Sequence, residues 1–127
     1  MTFIFDNDIS PRLALALQHL VENHQIIALR DQFKPDTPDI DWIPEIGRRK
    51  WILVSYDYNQ RRRTNERQAL QDHHVRAIYI RHGRNPRSHF DDAARIIKNW
   101  PKIERSAQNA PEGELVRLDA KDKIEKL

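Results

Sequence analysis

Two aspartates close apolar runs abruptly: Asp6 after Phe3-Ile4-Phe5, and Asp57 just after Trp51-Ile52-Leu53-Val54-Ser55. Asp8 follows Asp6 by two residues. Further acids fall where helices should begin, with Asp39 and Asp41 just after Thr37-Pro38 and Glu66 in the segment that follows Asp57. Residues two apart do not share a helix face, so Asp41 points away from the direction taken by Asp39. Carboxylates gathered at one place repel one another, and a hard divalent cation relieves that repulsion. Mg²⁺ takes oxygen ligands, keeps several waters and often uses only one or two carboxylates directly. Paired ions in such a cluster can activate water and stabilise the leaving oxygen of a phosphodiester. A plainer role stands beside each position. A first-turn acid often only complements the helix dipole, which applies to Asp39, Asp41 and Glu66, and Asp8 could simply prepare the Ser10 cap. Asp6 and Asp57 are harder to dismiss, because both end strands that read as buried.

The elements that position these residues can be read from period and punctuation. After the first strand, Ser10-Pro11 is a cap followed by proline at the first helical position. Leu13, Leu17 and Leu20 then keep helical spacing to about Glu22. Ile26 to Leu29 reads as a second strand. Thr37-Pro38 repeats the cap-then-proline signal and opens a helix through Trp42, Ile43 and Ile46 that stops near Gly47. The strongest strand is Trp51 to Ser55, and a helix from Thr64 to His73 follows it. Val75 to Ile80 is a fourth strand. Ser88 caps a helix carrying Phe90, Ala93, Ile96, Ile97 and Trp100, with Pro101 after it. Leu115 to Leu118 is a fifth, marginal strand. The alternation predicts an α/β fold, a three-layer α/β/α sandwich on a mainly parallel central sheet of four to five strands. Near-continuous apolar strands suit burial on both faces. In such sheets ligands bind outside the carboxyl ends of the strands, near the point where strand order reverses. Residues 1–120 are expected to form a single domain, and 121–127 a charged tail or a short frayed helix.

The chain has 127 residues, enough for one domain with a core of its own, and no cysteine, which excludes disulfides and thiolate metal sites. No apolar run approaches membrane-spanning length, and the opening Met1 to Asp6 lacks the basic start of a signal peptide. A soluble cytoplasmic protein is expected. The formal net charge is +3, so the distribution of charge matters more than its total. Arg61, Arg62 and Arg63 follow Asp57, and Arg81, Arg84 and Arg87 follow the fourth strand. Both groups leave carboxyl strand ends and so share a rim with the acids, where they can hold a phosphate backbone. Arg48-Arg49-Lys50 enters a strand and belongs to the opposite edge. Tyr56, Tyr58 and His82 lie on the same rim as candidates for base stacking, with Tyr56 equally suited to the core. The six histidines show no metal-ligand spacing.

Taken together, Phe5-Asp6-Asn7-Asp8-Ile9-Ser10-Pro11, Leu29-Arg30-Asp31, Thr37-Pro38-Asp39-Ile40-Asp41-Trp42, Leu53-Val54-Ser55-Tyr56-Asp57, Asn65-Glu66-Arg67 and the segment around Trp100-Pro101-Lys102-Ile103 resemble the PIN-like domains related to VapC toxins. The resemblance implies a PIN-type sandwich and a Mg²⁺- or Mn²⁺-dependent endoribonuclease. It also implies the toxin of a toxin–antitoxin pair, with a cognate antitoxin as protein partner and a homodimer as its assembly. Carried over by position, it makes Asp6 and Asp57 strand-end metal carboxylates. Asp39, the acid of the helix after the second strand, becomes a further metal ligand, and Asp6, Asp39, Asp57 and Glu66 together the catalytic set. Asp8 is then the remaining metal-ligand candidate, because Ile80 is followed by Arg81-His82-Gly83 rather than by the acid many such nucleases carry there.

Three other readings compete. A receiver-like domain would phosphorylate Asp57, but it needs a hydroxyl residue after the fourth strand and a lysine after the fifth, and neither is evident. The Asp6-Asn7-Asp8 pattern also fits a haloacid-dehalogenase-type phosphatase with Asp6 as nucleophile, although the chain is short for that fold. A non-catalytic RNA- or protein-binding module would keep the fold without the chemistry.

Overall fold

The computed structural model describes residues 1–57, 60–83 and 88–127, with backbone alone at 60–63. It contains β1 (Thr2–Phe5), α1 (Pro11–Leu20), β2 (Gln25–Ala28), α2 (Leu29–Gln32), α3 (Asp39–Arg48), β3 (Ile52–Tyr56), α4 (Gln60–Asp72), β4 (Ala77–Ile80), α5 (His89–Asn109), β5 (Leu115–Leu118) and β6 (Ile124–Lys126). The strands form one sheet in the order β2-β1-β3-β4-β5-β6. The first five are mutually parallel, and β6 runs antiparallel to β5. The fold is therefore the α/β layered arrangement expected from the strand–helix alternation.

Alternate residues of each strand feed two cores. Phe3, Phe5, Val54, Tyr56, Ile78 and Ile80 pack with Leu13 and Leu17 of α1 and Ile96, Trp100 and Ile103 of α5. Ile4, Leu53, Ala77 and Tyr79 face the other way, onto Trp42, Ile43 and Ile46 of α3 and Leu70 of α4. This two-faced burial is why the central strands β1, β3 and β4 carry almost no polar residue. Gly47 is required by one close approach: a Cβ there would sit 2.4 Å from the His73 carbonyl oxygen. No helix is long and apolar enough among the described residues to cross a membrane.

Several boundaries differ from the sequence expectation, each for a physical reason. Leu29 leaves β2 and begins the short helix α2. Thr37 is not the cap of α3; Pro38 holds that position, without a side-chain hydrogen bond, and Asp39 is the first helical residue. Helix α5 starts on a full capping box between Ser88 and Asp91 but does not stop at Pro101. Trp100, Ile103 and Ala107 continue the buried stripe set by Ile96, so packing on the sheet offsets the hydrogen bond that proline removes. The segment 121–127, expected as a tail, supplies β6. Its turn is closed by the Asp119 carboxylate, which accepts the Lys121 and Lys123 N–H groups at 2.8 and 3.0 Å. Those two bonds, the Lys123 one first, hold Asp119 below the usual carboxylate range. Residues Ile124–Lys126 thus belong to the central sheet.

Candidate metal and phosphate site

Strand order reverses between β1 and β3. From β1 the chain passes to β2 on one side, and from α3 it returns to place β3 on the other. Asp6 leaves β1 at this reversal, with its N–H donating to the Val54 carbonyl at 2.9 Å. Its Oδ1 accepts the Asn7 N–H at 2.7 Å. Its Oδ2 accepts from the Ser55 hydroxyl at 2.9 Å. The same hydroxyl lies 3.2 Å from Asp8 Oδ2, which also accepts the Tyr56 N–H at 3.2 Å. Ser55 is fully buried. A hydroxyl has one proton to give, so two carboxylates share one donor at the end of a buried strand. Ser55 was not singled out from the sequence, although it is the lone polar residue in an otherwise apolar strand, and that was the available signal.

Asp57 has different company. Its N–H donates to the Ile80 carbonyl, extending the β3–β4 ladder. Its carboxylate, with the side chain 7 % exposed, lies between two guanidinium groups: Oδ1 accepts from Arg67 at 3.3 Å and Oδ2 from Arg117 at 3.2 Å. Arg117 also spends two nitrogens on Glu125, at 2.8 and 2.5 Å. These contacts raise its pKa further above an already high value, the Glu125 bond most and the Asp57 bond after it. The Arg67 guanidinium stacks over the Tyr79 ring, 5.2 Å from its centroid, and the Tyr79 hydroxyl donates to the buried Glu66 carboxylate at 3.1 Å. Glu66 and Asp39 line a cleft of about 350 Å³ between α3 and α4, with Ile43, Pro44, Ala69 and His73.

The acids named from the sequence are therefore sorted by partner: Asp6 and Asp8 on Ser55, Asp57 between arginines, Asp39 and Glu66 in the helical cleft. Among the described residues, no three carboxylates or imidazoles stand close enough to hold a metal between them. A second face of the edge carries two groups the sequence reading passed over. Asp8 lines a cavity of about 90 Å³ with Tyr56, His89 and Asp92. His82 stacks on Tyr56 at 4.4 Å, and its Nδ1 is 3.8 Å from Asp92 Oδ1. Tyr56 itself is buried in the core beneath α1 and α5. Arg81 is exposed on the rim. Tyr58, Arg84 and Arg87, and the side chains of Arg61, Arg62 and Arg63, lie outside the described residues.

The sequence pattern of the PIN-like domain matches residues 1–82. The chain belongs to the PIN-like domain family. The matched part of this PIN-like domain runs from β1 through β4 and takes in Asp6, Asp8, Asp39, Ser55, Asp57, Glu66 and Arg67. Helix α5 and strands β5 and β6, with Asp92 and Arg117, lie beyond it. No curated protein and no solved structure matches the chain.

Proposed function

We propose that this PIN-like domain is a Mg²⁺- or Mn²⁺-dependent endoribonuclease, the toxin of a toxin–antitoxin pair, and that Asp6 and Asp8 hold the metal. The observation that carries the reading is the pair of carboxylates converging on the Ser55 hydroxyl where strand order reverses. The donor set suits the ion: two hard carboxylates at a partly exposed strand edge, with no thiolate anywhere in the chain. When bound, the metal would activate water for attack on a phosphodiester and stabilise the leaving oxygen. The protein's own share is positional. Ser55 and the Tyr56 N–H fix where the carboxylates sit. Asp39 and Glu66 act from the neighbouring cleft on the substrate strand. Arg81, with Arg61, Arg62, Arg63, Arg84 and Arg87, draws the RNA backbone to the rim. Asp57, assigned to the metal by resemblance, would have to release an arginine to ligate it.

The test is cleavage of a mixed RNA with Mg²⁺ or Mn²⁺, with and without chelator, by the wild-type protein and Asp6→Asn. Cutting that stops with chelator and falls by at least about a hundredfold in folded Asp6→Asn supports the reading. The arginine clamp on Asp57 favours a second reading, a PIN-like module that binds RNA without cutting it. Tight RNA binding with no metal-dependent cleavage would select that one. Copurification of a small partner encoded beside this chain, blocking the cutting, would support the toxin–antitoxin assignment.

A further inference from the structure

Asp57 does not use the arginines around it to their capacity. A guanidinium presents five N–H donors in a rigid fork, and ideal charge-assisted bonds to oxygen run about 2.7–2.9 Å. Arg117 is largely committed, with Nε and one terminal nitrogen on Glu125 and the other on Asp57. Arg67 gives Asp57 a single terminal nitrogen at 3.3 Å, and its buried Nε has no hydrogen-bond partner. Its plane is fixed by the Tyr79 ring beneath it. Its side chain is 26 % exposed, so solvent and a ligand can reach it. Side chains on a helix lean towards the amino terminus, and α4 starts at the carboxyl edge of the sheet, so Arg67 leans towards that edge and meets Asp57 there. A single residue, Tyr56, separates Ser55 from Asp57 along the chain.

We propose that Arg67 is the residue that grips an RNA phosphate at this site, and that Asp57 is its positioning residue rather than a metal ligand. The assignment rests on the endoribonuclease reading for its substrate. A pre-oriented guanidinium with unused donors, beside a carboxylate pair suited to a cation, is what a phosphodiester with developing negative charge requires. A bound phosphate would accept from the exposed end of the Arg67 guanidinium, while Asp57 and Tyr79 keep its plane in place.

Binding of a single-stranded oligoribonucleotide in chelator, followed by fluorescence anisotropy across a salt series, tests this without cleavage. The comparison is made between the wild type and Arg67→Gln, both checked for folding by circular dichroism, since Asp57 keeps its bond to Arg117 in either. Loss of one phosphate contact should lower the slope of log K against log salt by about 0.7 and weaken binding several-fold. Arg67→Lys should keep the wild-type slope without the full affinity. A folded Arg67→Gln with the slope and affinity of the wild type overturns the proposal. So does loss of Mg²⁺-induced stabilisation in Asp57→Asn to the extent seen in Asp6→Asn. If the wild-type protein binds no RNA, the endoribonuclease reading falls as well; if it binds and cuts while Arg67 proves silent, only this assignment falls.

Discussion

Replacing Ser55 by alanine probes the centre of the site with one oxygen atom. The two contacts to that oxygen, 2.9 and 3.2 Å, place the Asp6 and Asp8 carboxylate oxygens no more than about 6 Å apart. At an effective dielectric of about 20, two unit charges at that separation repel by about 3 kcal/mol, a value that water at this partly exposed edge reduces. The hydroxyl can donate to only one of them at a time, so a single charge-assisted bond of about 1.5–3 kcal/mol is at stake. Alanine also removes a buried hydroxyl and so recovers about 1 kcal/mol of its desolvation cost. Ser55→Ala should therefore unfold about 0.5–2 kcal/mol more easily than wild type in chelator. A larger effect is expected with metal, because loss of a group that orients ligands typically weakens affinity by about 10–100-fold. If Mg²⁺ at a hundred times its dissociation constant adds about 2.7 kcal/mol to the wild type, a tenfold weaker site retains about 1.4 kcal/mol of that gain. Urea unfolding followed by tryptophan fluorescence, with Mg²⁺ or with chelator, reads both quantities. The reasoning is refuted if Ser55→Ala gains as much from Mg²⁺ as the wild type does, or if Asp6→Asn does.

Other consequences can be checked with single variants. Gly47→Ala should cost about 1–3 kcal/mol despite alanine's better helix propensity, because the added methyl meets the His73 carbonyl; a stabilised variant would contradict that packing. Pro101→Ala should raise the unfolding free energy by about 1–3 kcal/mol, since the helix continues through this exposed position and regains a backbone donor; an unchanged midpoint would mean that α5 is bent to suit the proline. Removing residues 121–127 should lower the melting temperature by several degrees, because β6 pairs with β5 and Glu125 holds Arg117; a tail would be lost without effect. Glu45 is held down to about 2 by its bonds to Arg48 first and Arg49 second. Its folded pKa is depressed, so the stability it contributes is complete above the unfolded carboxylate pKa, near 4.3, and is lost as pH falls through about 2. A carbon-detected NMR titration should find that midpoint in the wild type and a higher one in Arg48→Gln.

The order of strands and helices was legible in the sequence because it rests on local signals: apolar runs of strand length, helical spacing, and caps such as Ser10-Pro11 and Ser88. From that order followed the α/β class and the expectation that polar strand ends would meet at one edge, which is where Asp6, Asp8 and Asp57 lie. Local signals misled where burial outweighs them. Pro101 reads as a stop, yet the apolar stripe through Trp100, Ile103 and Ala107 keeps the helix on the sheet. Residues 121–127 read as a tail because strand pairing is not local, and β6 exists only as the partner of β5.

What the sequence could not decide was company. Asp6 and Asp57 looked alike along the chain, each a carboxylate ending a buried strand. The tertiary structure gave one a shared hydroxyl and a second acid, and the other two guanidinium groups, one of them from β5, sixty residues away. An ionised side chain's chemistry is set by whatever charge and hydrogen-bond donors lie within a few ångströms, and those neighbours are assembled by sheet topology rather than by sequence proximity.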